Sequence, residues 1–310
     1  MNFYKNKNVI VTGGAGFIGS HLVEKLVAHG AHVTILDNLR TGNLQNLTAV
    51  SSQITFIKGD IRDKELCIKA LTAADVVFHL AAQISVPESM QNPDECFQIN
   101  VNGTFNLLEA ARINKVKRFV FSSSCAVYGE KNEPCFETMP CSPTSPYAYS
   151  KFLGEQLCQQ YSQLFNIPTV VLRYFNVFGP RQDPQSEYAG VIAKFTKNMK
   201  NNAPITIFGN GTQSRDFVPV EQVVEANLLF AQLPDEFCTG KPINVATGKS
   251  TSVLELFNKL KKDIPGYSHQ PLFAPARKGE IKYSEADCTR YRELLAHIKK
   301  VIHRSFKNNL

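Results

Sequence analysis

Tyr147 and Lys151 stand four residues apart at the start of a helix-like stretch, and a run of serines upstream ends in Ser124. At i and i+4 of a helix the two side chains share one face. A phenol beside an ammonium is a candidate general acid and base. Free tyrosine titrates near 10. An ammonium about 4 Å away, at an effective dielectric of about 20, contributes about 4 kcal/mol, or roughly three pK units. The expectation is a Tyr147 phenol drawn towards neutrality, where a general base works, with Ser124 hydrogen-bonding the same substrate oxygen. Asn100, in Asn100-Val-Asn-Gly-Thr104, is a candidate for relaying or positioning; its plainer reading is a polar residue on a helix surface.

These residues need a scaffold. Ser145 suits an N-cap and Pro146 a first helical position, so a helix is expected over 147–165. Tyr149, Leu153, Leu157 and Leu164 form an adjacent apolar stripe, which assigns Tyr149 to packing. The serines end a strand that begins at Arg118.

A second constellation lies at the start of the chain. Asn8-Val-Ile-Val-Thr12 reads as a strand and runs into Gly13-Gly-Ala-Gly-Phe-Ile-Gly19 and an apolar-periodic helix. Gly13 permits a tight turn, Gly16 lets backbone N–H groups approach a pyrophosphate, and Gly19 seats the helix close to the strand. The helix N-terminus then faces the phosphates with partial positive charge. A second strand, 32–37, ends in Asp37, 18 residues beyond Gly19. That acid is placed to hold both hydroxyls of an adenosine ribose. The pattern predicts dinucleotide binding.

Further strands are expected at 54–57, 75–80, 118–122 and 169–174, with helices at 17–29, 63–72, 93–114 and 147–165. Strands separated by helices imply an α/β fold, a doubly wound parallel sheet covered on both faces. A smaller C-terminal α/β domain follows a boundary near residue 176, giving units 1–176 and 177–310, with 217–248 expected to rejoin the first sheet. Ligands in such sheets lie outside the carboxyl ends of the strands. Asp60 then reaches towards an adenine amine, and Ala81 and Ala82 leave room for the nicotinamide half.

Hydrophobic content of 43%, charged content of 20% and a net charge of +7 describe an ordinary globular chain. No apolar run approaches the roughly 18 residues that span a bilayer, so no membrane partner is expected, and the early first strand argues against a signal peptide. The eight cysteines lack C-x-x-C or metal-like spacing, which predicts no metal and reduced thiols in a cytoplasm. Lys299, Lys300, Arg304 and Lys307 read as a solvated terminal helix. No basic face with groove-reading elements suggests nucleic acid.

Together the motifs TGGAGFIGSHL, LDNLxTG, GDIxD, HLAA, SVxxSxxxP, NxNGT, SSSxxVYG, SPYAxSK, LRYFNVFGPRQDP and RDFVxV carry a resemblance through about Asp287. The chain resembles the extended short-chain dehydrogenases/reductases with their Rossmann sheet, and within them the nucleotide-sugar 4-epimerases. The resemblance implies bound NAD, a Ser/Thr–Tyr–Lys catalytic set and a C-terminal domain that holds an NDP-sugar, with a UDP-sugar the expected substrate. On this chain Phe17, Ile18, Asp37, Asn38, Asp60, Ile61, Leu80 and Ala81 would touch NAD, as would Tyr147, Lys151 and Phe175. Ser85, Ser89 and Ser124 would line the sugar, and Asn176 would contact the diphosphate. Arg215 and Arg277 would clamp that diphosphate, because a guanidinium matches phosphate oxygens. Phe208 would lie against uracil, or else simply pack in the core. Helices 93–114 and 147–165 would form a homodimer seam.

The implied reaction moves the proton of the sugar 4-hydroxyl to Tyr147 while carbon 4 is oxidised, then reverses both after the sugar turns over. Related dehydratases carry Thr-Asp-Glu before Val-Tyr-Gly, and decarboxylases usually keep the Glu. This chain has Ser124-Cys125-Ala126, which favours epimerisation over an NDP-sugar dehydratase or UDP-glucuronate decarboxylase. An NAD-binding regulatory protein is the non-enzyme alternative, and the presence of both Tyr147 and Lys151 opposes it. Ser284, small where the family tunes sugar size, favours UDP-GlcNAc/UDP-GalNAc over UDP-glucose/UDP-galactose. Arg40 is placed to meet a 2′-phosphate, but Asp37 opposes one by charge, so NAD is expected over NADP.

Overall fold

The computed structural model describes residues 3–183, 190–276 and 282–307, with side chains to residue 300. From the N-terminus come β1 (Asn8–Thr12), α1 (Phe17–Ala28), β2 (His32–Asp37), β3 (Ile54–Lys58), α2 (Lys64–Ala70) and β4 (Val76–His79). Then follow α3 (Val86–Gln91), α4 (Pro93–Phe97), α5 (Gly103–Ile113), β5 (Arg118–Ser124), α6 (Pro146–Phe165) and β6 (Thr169–Tyr174). The chain leaves this sheet through β7 (Asn176–Phe178), α7 (Val191–Lys200), β8 (Thr206–Phe208) and β9 (Ser214–Pro219). It returns with α8 (Val220–Phe230) and β10 (Thr239–Val245), and continues through β11 (Ser250–Ser252), α9 (Val253–Asp263), β12 (Leu272–Ala274) and α10 (Thr289–Lys307).

The central sheet has seven strands in the order β10-β6-β5-β4-β1-β2-β3, and every neighbouring pair is parallel. The order reverses beside β1, the position where an open parallel sheet leaves a crevice. One core layer packs α1 and α8 through Leu22, Leu26, Val224 and Phe230. The other packs α2, α5 and α6 through Cys67, Leu107, Leu108, Cys158 and Tyr161. The stretch 217–248 supplies the seventh strand, with Thr239 beside Thr169 and Val245 beside Tyr174.

Outside that sheet, β9 pairs in parallel with β7 and antiparallel with β11, and β8 pairs with β12. A small core of Phe195, Met199, Ile207, Leu256 and Phe257 holds α7 and α9 over these strands. No helix among the described residues is long and apolar enough to cross a membrane.

Two expectations are corrected. The helix expected over 93–114 runs without a gap to Ile113 but is not regular: between α4 and α5, Gln98–Asn102 form a π-helical turn. Such a turn adds a residue to the helical repeat and shifts which side chains face inward. The stripe through Tyr149 and Leu164 faces outward, with those residues 46% and 69% exposed. The buried face of α6 is instead Ala148, Lys151, Gly154, Glu155, Cys158 and Tyr161.

Candidate active site

The glycine turn leaves β1 and touches the loop after β4. Gly13 has φ +71°, and a Cβ there would fall 2.7 Å from the Ala81 nitrogen. A Cβ on Gly19 would run into the Gly13 carbonyl. Backbone therefore packs on backbone at both glycines, and the turn remains open towards the cavity at the carboxyl ends of the strands. Gly13, Gly16, Phe17, Ile18 and Gly19 line that cavity, as do Asp37, Asn38, Asp60 and Ile61, with Leu80, Ala81 and Ala82 on the far wall.

At the end of β2, Asp37 is buried, and its two oxygens accept N–H groups of Ala15 and Leu39 at 2.9 and 2.8 Å. Asn38 donates to Asp60 at 2.9 Å, and Arg62 grips Asp60 with two nitrogens. The Arg62 hydrogen bond is the main reason the Asp60 carboxyl sits at about 2. Arg40 also lines the cavity, but its guanidinium is committed to Glu88 at 2.5 Å and Glu95 at 2.9 Å. Those glutamates, not Asp37 alone, oppose a 2′-phosphate there.

The chemical residues converge at the ends of β5 and α6. Ser145 caps α6 by accepting from the Ala148 N–H at 3.1 Å, and Pro146 starts the helix. Tyr147 and Lys151 both line the cavity. Lys151 is buried, and its Nζ donates to the Ser122 carbonyl at 2.8 Å. Tyr147 hydrogen-bonds Ser124.

The expected tuning of the phenol is not what the structure gives. Burial pushes Tyr147 up to about 12, with the Ser124 hydrogen bond pulling against it. Burial draws Lys151 down to about 8. A pairwise Coulomb argument omitted desolvation, which disfavours the charged form of both groups.

Asn100 is not on a helix surface. The π-turn carries it inward, where it is buried. Its Oδ1 accepts the Gln83 N–H at 2.8 Å, and its Nδ2 donates to the Gln83 carbonyl and to Ser150 Oγ, both at 2.9 Å. It holds the β4 loop against α6 as a brace.

Ser85 and Ser89 are buried, and their hydroxyls serve α3: Ser85 caps it, and Ser89 donates to the Val86 carbonyl. Neither lines either cavity described here. Phe175 is also displaced from its expected place on the wall. It is buried in a separate cluster, 6.3 Å ring to ring from Tyr128.

A second cavity, of about 550 Å³, lies between the sheet and the C-terminal layer. Asn176, Phe208 and Arg215 line it, so Phe208 is not merely core. Ile84 lines both cavities and marks where they meet. Sequence reading missed Lys194 and Gln213 on this wall, and Tyr174 on the first. Tyr174 ends the same strand as the Leu-Arg-Tyr motif, a placement that could have marked it. Ser284 is buried and hydrogen-bonds the Cys125 thiol. Arg277 lies outside the described residues. Among the described residues no group of three or more His, Cys, Asp or Glu could hold a metal ion.

The cavity suits a dinucleotide on its own geometry. A glycine cradle that side chains would fill leads to a buried acid at the second strand and to a Tyr–Lys pair at the far end. Comparison with known proteins agrees. Residues 9–246 match the NAD dependent epimerase/dehydratase family. A UDP-glucose 4-epimerase of Mycolicibacterium smegmatis is 41% identical over 291 residues, covering 92% of this chain and 91% of that one. A Thermotoga maritima UDP-glucose 4-epimerase solved with UDP-glucose superposes with a TM-score of 0.87 at 40% identity, over 93% and 92% of the two chains. A Methanobrevibacter ruminantium UDP-N-acetylglucosamine 4-epimerase in complex with UDP-N-acetylmuramic acid gives 0.86 at 39% identity, over 97% and 99%.

Proposed function

Since the chain belongs to the NAD dependent epimerase/dehydratase family, we propose that it interconverts UDP-hexoses that differ in configuration at carbon 4. UDP-GlcNAc/UDP-GalNAc is the favoured pair, with UDP-glucose/UDP-galactose the second. The observation that carries this reading is Tyr147, hydrogen-bonded to Ser124, on the wall of the dinucleotide cavity, which shares Ile84 with a second cavity.

Bound NAD supplies a two-electron oxidant that is regenerated within each turnover. Tyr147 Oη takes the proton from the sugar 4-hydroxyl and later returns it, while Ser124 hydrogen-bonds the same oxygen. Lys151, fixed by the Ser122 carbonyl, keeps a positive charge behind the phenol. Arg215 and Asn176 hold the diphosphate, and Phe208 lies against the uracil. The sugar turns over where the cavities meet. Residues 1–176, joined by 217–248, form the NAD-binding unit, and the remaining described residues hold the sugar nucleotide.

Cys125 and Ala126 stand where a dehydratase needs acids, and neither carries a carboxyl group. The preference for an N-acetylated sugar comes from the resemblance at Ser284 alone, since that side chain is buried against Cys125 and lines neither cavity described above. Exposed Phe105, Tyr149, Leu164 and Phe165 on α5 and α6 support a homodimer through those helices. The test is incubation of the pure protein with UDP-GlcNAc and UDP-glucose separately. GalNAc product supports the preference; turnover of UDP-glucose alone overturns it, and a 4-keto-6-deoxy product overturns epimerisation.

A further inference from the structure

His79 ends β4, pairs in register with Thr12 of β1 and Phe121 of β5, and is 2% exposed. Each ring nitrogen meets a buried threonine: Nδ1 lies 2.8 Å from Thr12 Oγ1, and Nε2 lies 2.9 Å from Thr104 Oγ1.

The surrounding partners fix the direction of every proton. Thr104 Oγ1 lies 2.6 Å from the Asn100 carbonyl oxygen, which only accepts. The single Thr104 hydroxyl proton is therefore spent there, and Thr104 must accept from His79 Nε2–H. On the other side, the Ala81 N–H donates to Thr12 Oγ1 at 3.2 Å. Thr12 then donates its own proton to an unprotonated Nδ1. A doubly protonated ring would leave the buried Thr12 proton without an acceptor. Burial acts in the same direction and lowers the imidazole to about 3.

The chain of bonds continues at both ends. Ala81 lines the dinucleotide cavity and abuts Gly13. Asn100 braces Gln83 and Ser150, and Ser150 Oγ donates to the Tyr147 carbonyl at 2.8 Å. We infer that His79 is a positioning residue for the reaction: held neutral with its proton on Nε2, it sets the spacing between the nicotinamide-side wall and the helix that carries Tyr147. Packing alone does not require the two nitrogens, because the neighbours are Phe119 and Phe121, at 6.0 and 5.7 Å ring to ring.

The inference rests on the reading of Tyr147 as the base, so its test has one part that needs no turnover. In the intact protein with ¹⁵N-labelled histidine, His79 is assigned by its loss in His79→Gln. The expected spectrum has Nε2 protonated and Nδ1 bare, unchanged from about pH 5 to about pH 9, across the ordinary histidine range. The opposite tautomer, or an imidazolium at neutral pH, overturns the wiring whatever the protein catalyses. The second part is kinetic. His79→Phe keeps a ring against Phe119 and Phe121 but breaks both bonds. His79→Gln offers an amide oxygen and nitrogen to the two hydroxyls. The expected kcat falls by about tenfold or more in His79→Phe with KM nearly unchanged, since small misplacements of reacting groups are costly, and His79→Gln recovers most of it. Equal impairment in the two variants, or native kcat in His79→Phe, overturns the positioning role.

Discussion

The Lys151 ammonium donates to the Ser122 carbonyl at 2.8 Å, a buried hydrogen bond between the strand ending in Ser124 and the helix carrying Tyr147. This bond keeps the lysine beside the cavity, but it brings no counter-charge. Burial therefore draws Lys151 down to about 8. Its folded value lies below the unfolded value of about 10.4. Between about 8 and about 10 the unfolded chain binds the extra proton, and the contribution of this group to stability rises with pH. Urea midpoints over that window should climb for the native protein relative to Lys151→Met. In kcat, loss of the ammonium should produce a falling limb near pH 8.

Tyr147→Phe removes one oxygen and leaves the ring. The variant should fold, retain NAD and lose turnover by at least about a hundredfold, as expected for removal of a general base. Parallel measurements of NAD content and epimer formation check both halves. Native turnover would exclude the phenol from the proton transfer.

What the sequence revealed about this site was local. The glycine turn, Asp37 and the Tyr147–Lys151 spacing each lie within one turn or one element, and each lines the cavity. What it hid was set by contacts distant along the chain. Asn100 turns inward because a π-turn interrupts its helix, and its partner Ser150 is 50 residues away. Arg40 carries no sign in its own segment that Glu88 and Glu95 will take its charge. Desolvation of Tyr147 depends on the assembled walls, so a charge-pair argument gave the wrong direction. The apolar stripe of α6 follows helical periodicity correctly, yet periodicity does not say whether such a face meets the core or the outside.

The Arg40 ion pairs straddle the glycine turn. Arg40 follows β2, Glu88 and Glu95 follow β4, and β1 lies between those strands. Arg40→Ala should release NAD about two- to fivefold faster during dialysis, in keeping with the modest worth of partly exposed pairs. Added salt should speed release from the native protein and have little effect on the variant. Retained nucleotide absorbance reads both.

Behind the site, Glu155 and Arg173 form a buried pair with side chains 2% and 3% exposed, and Ser123 donates to the same carboxylate at 2.5 Å. Arg173→Met leaves that carboxylate uncompensated and should cost about 3–5 kcal/mol in urea unfolding. Adding Glu155→Leu should restore much of the loss, because the isolated charge is then gone. A single variant as stable as the native protein would mean that the pair does not hold the end of β5.

Reversible oxidation at carbon 4, with the hydrogen held inside the site, is most directly tested with UDP-hexose carrying deuterium at that carbon. The epimer should retain the deuterium at carbon 4, with slower turnover than the unlabelled sugar. Epimer formed with hydrogen from solvent at carbon 4 would contradict the account.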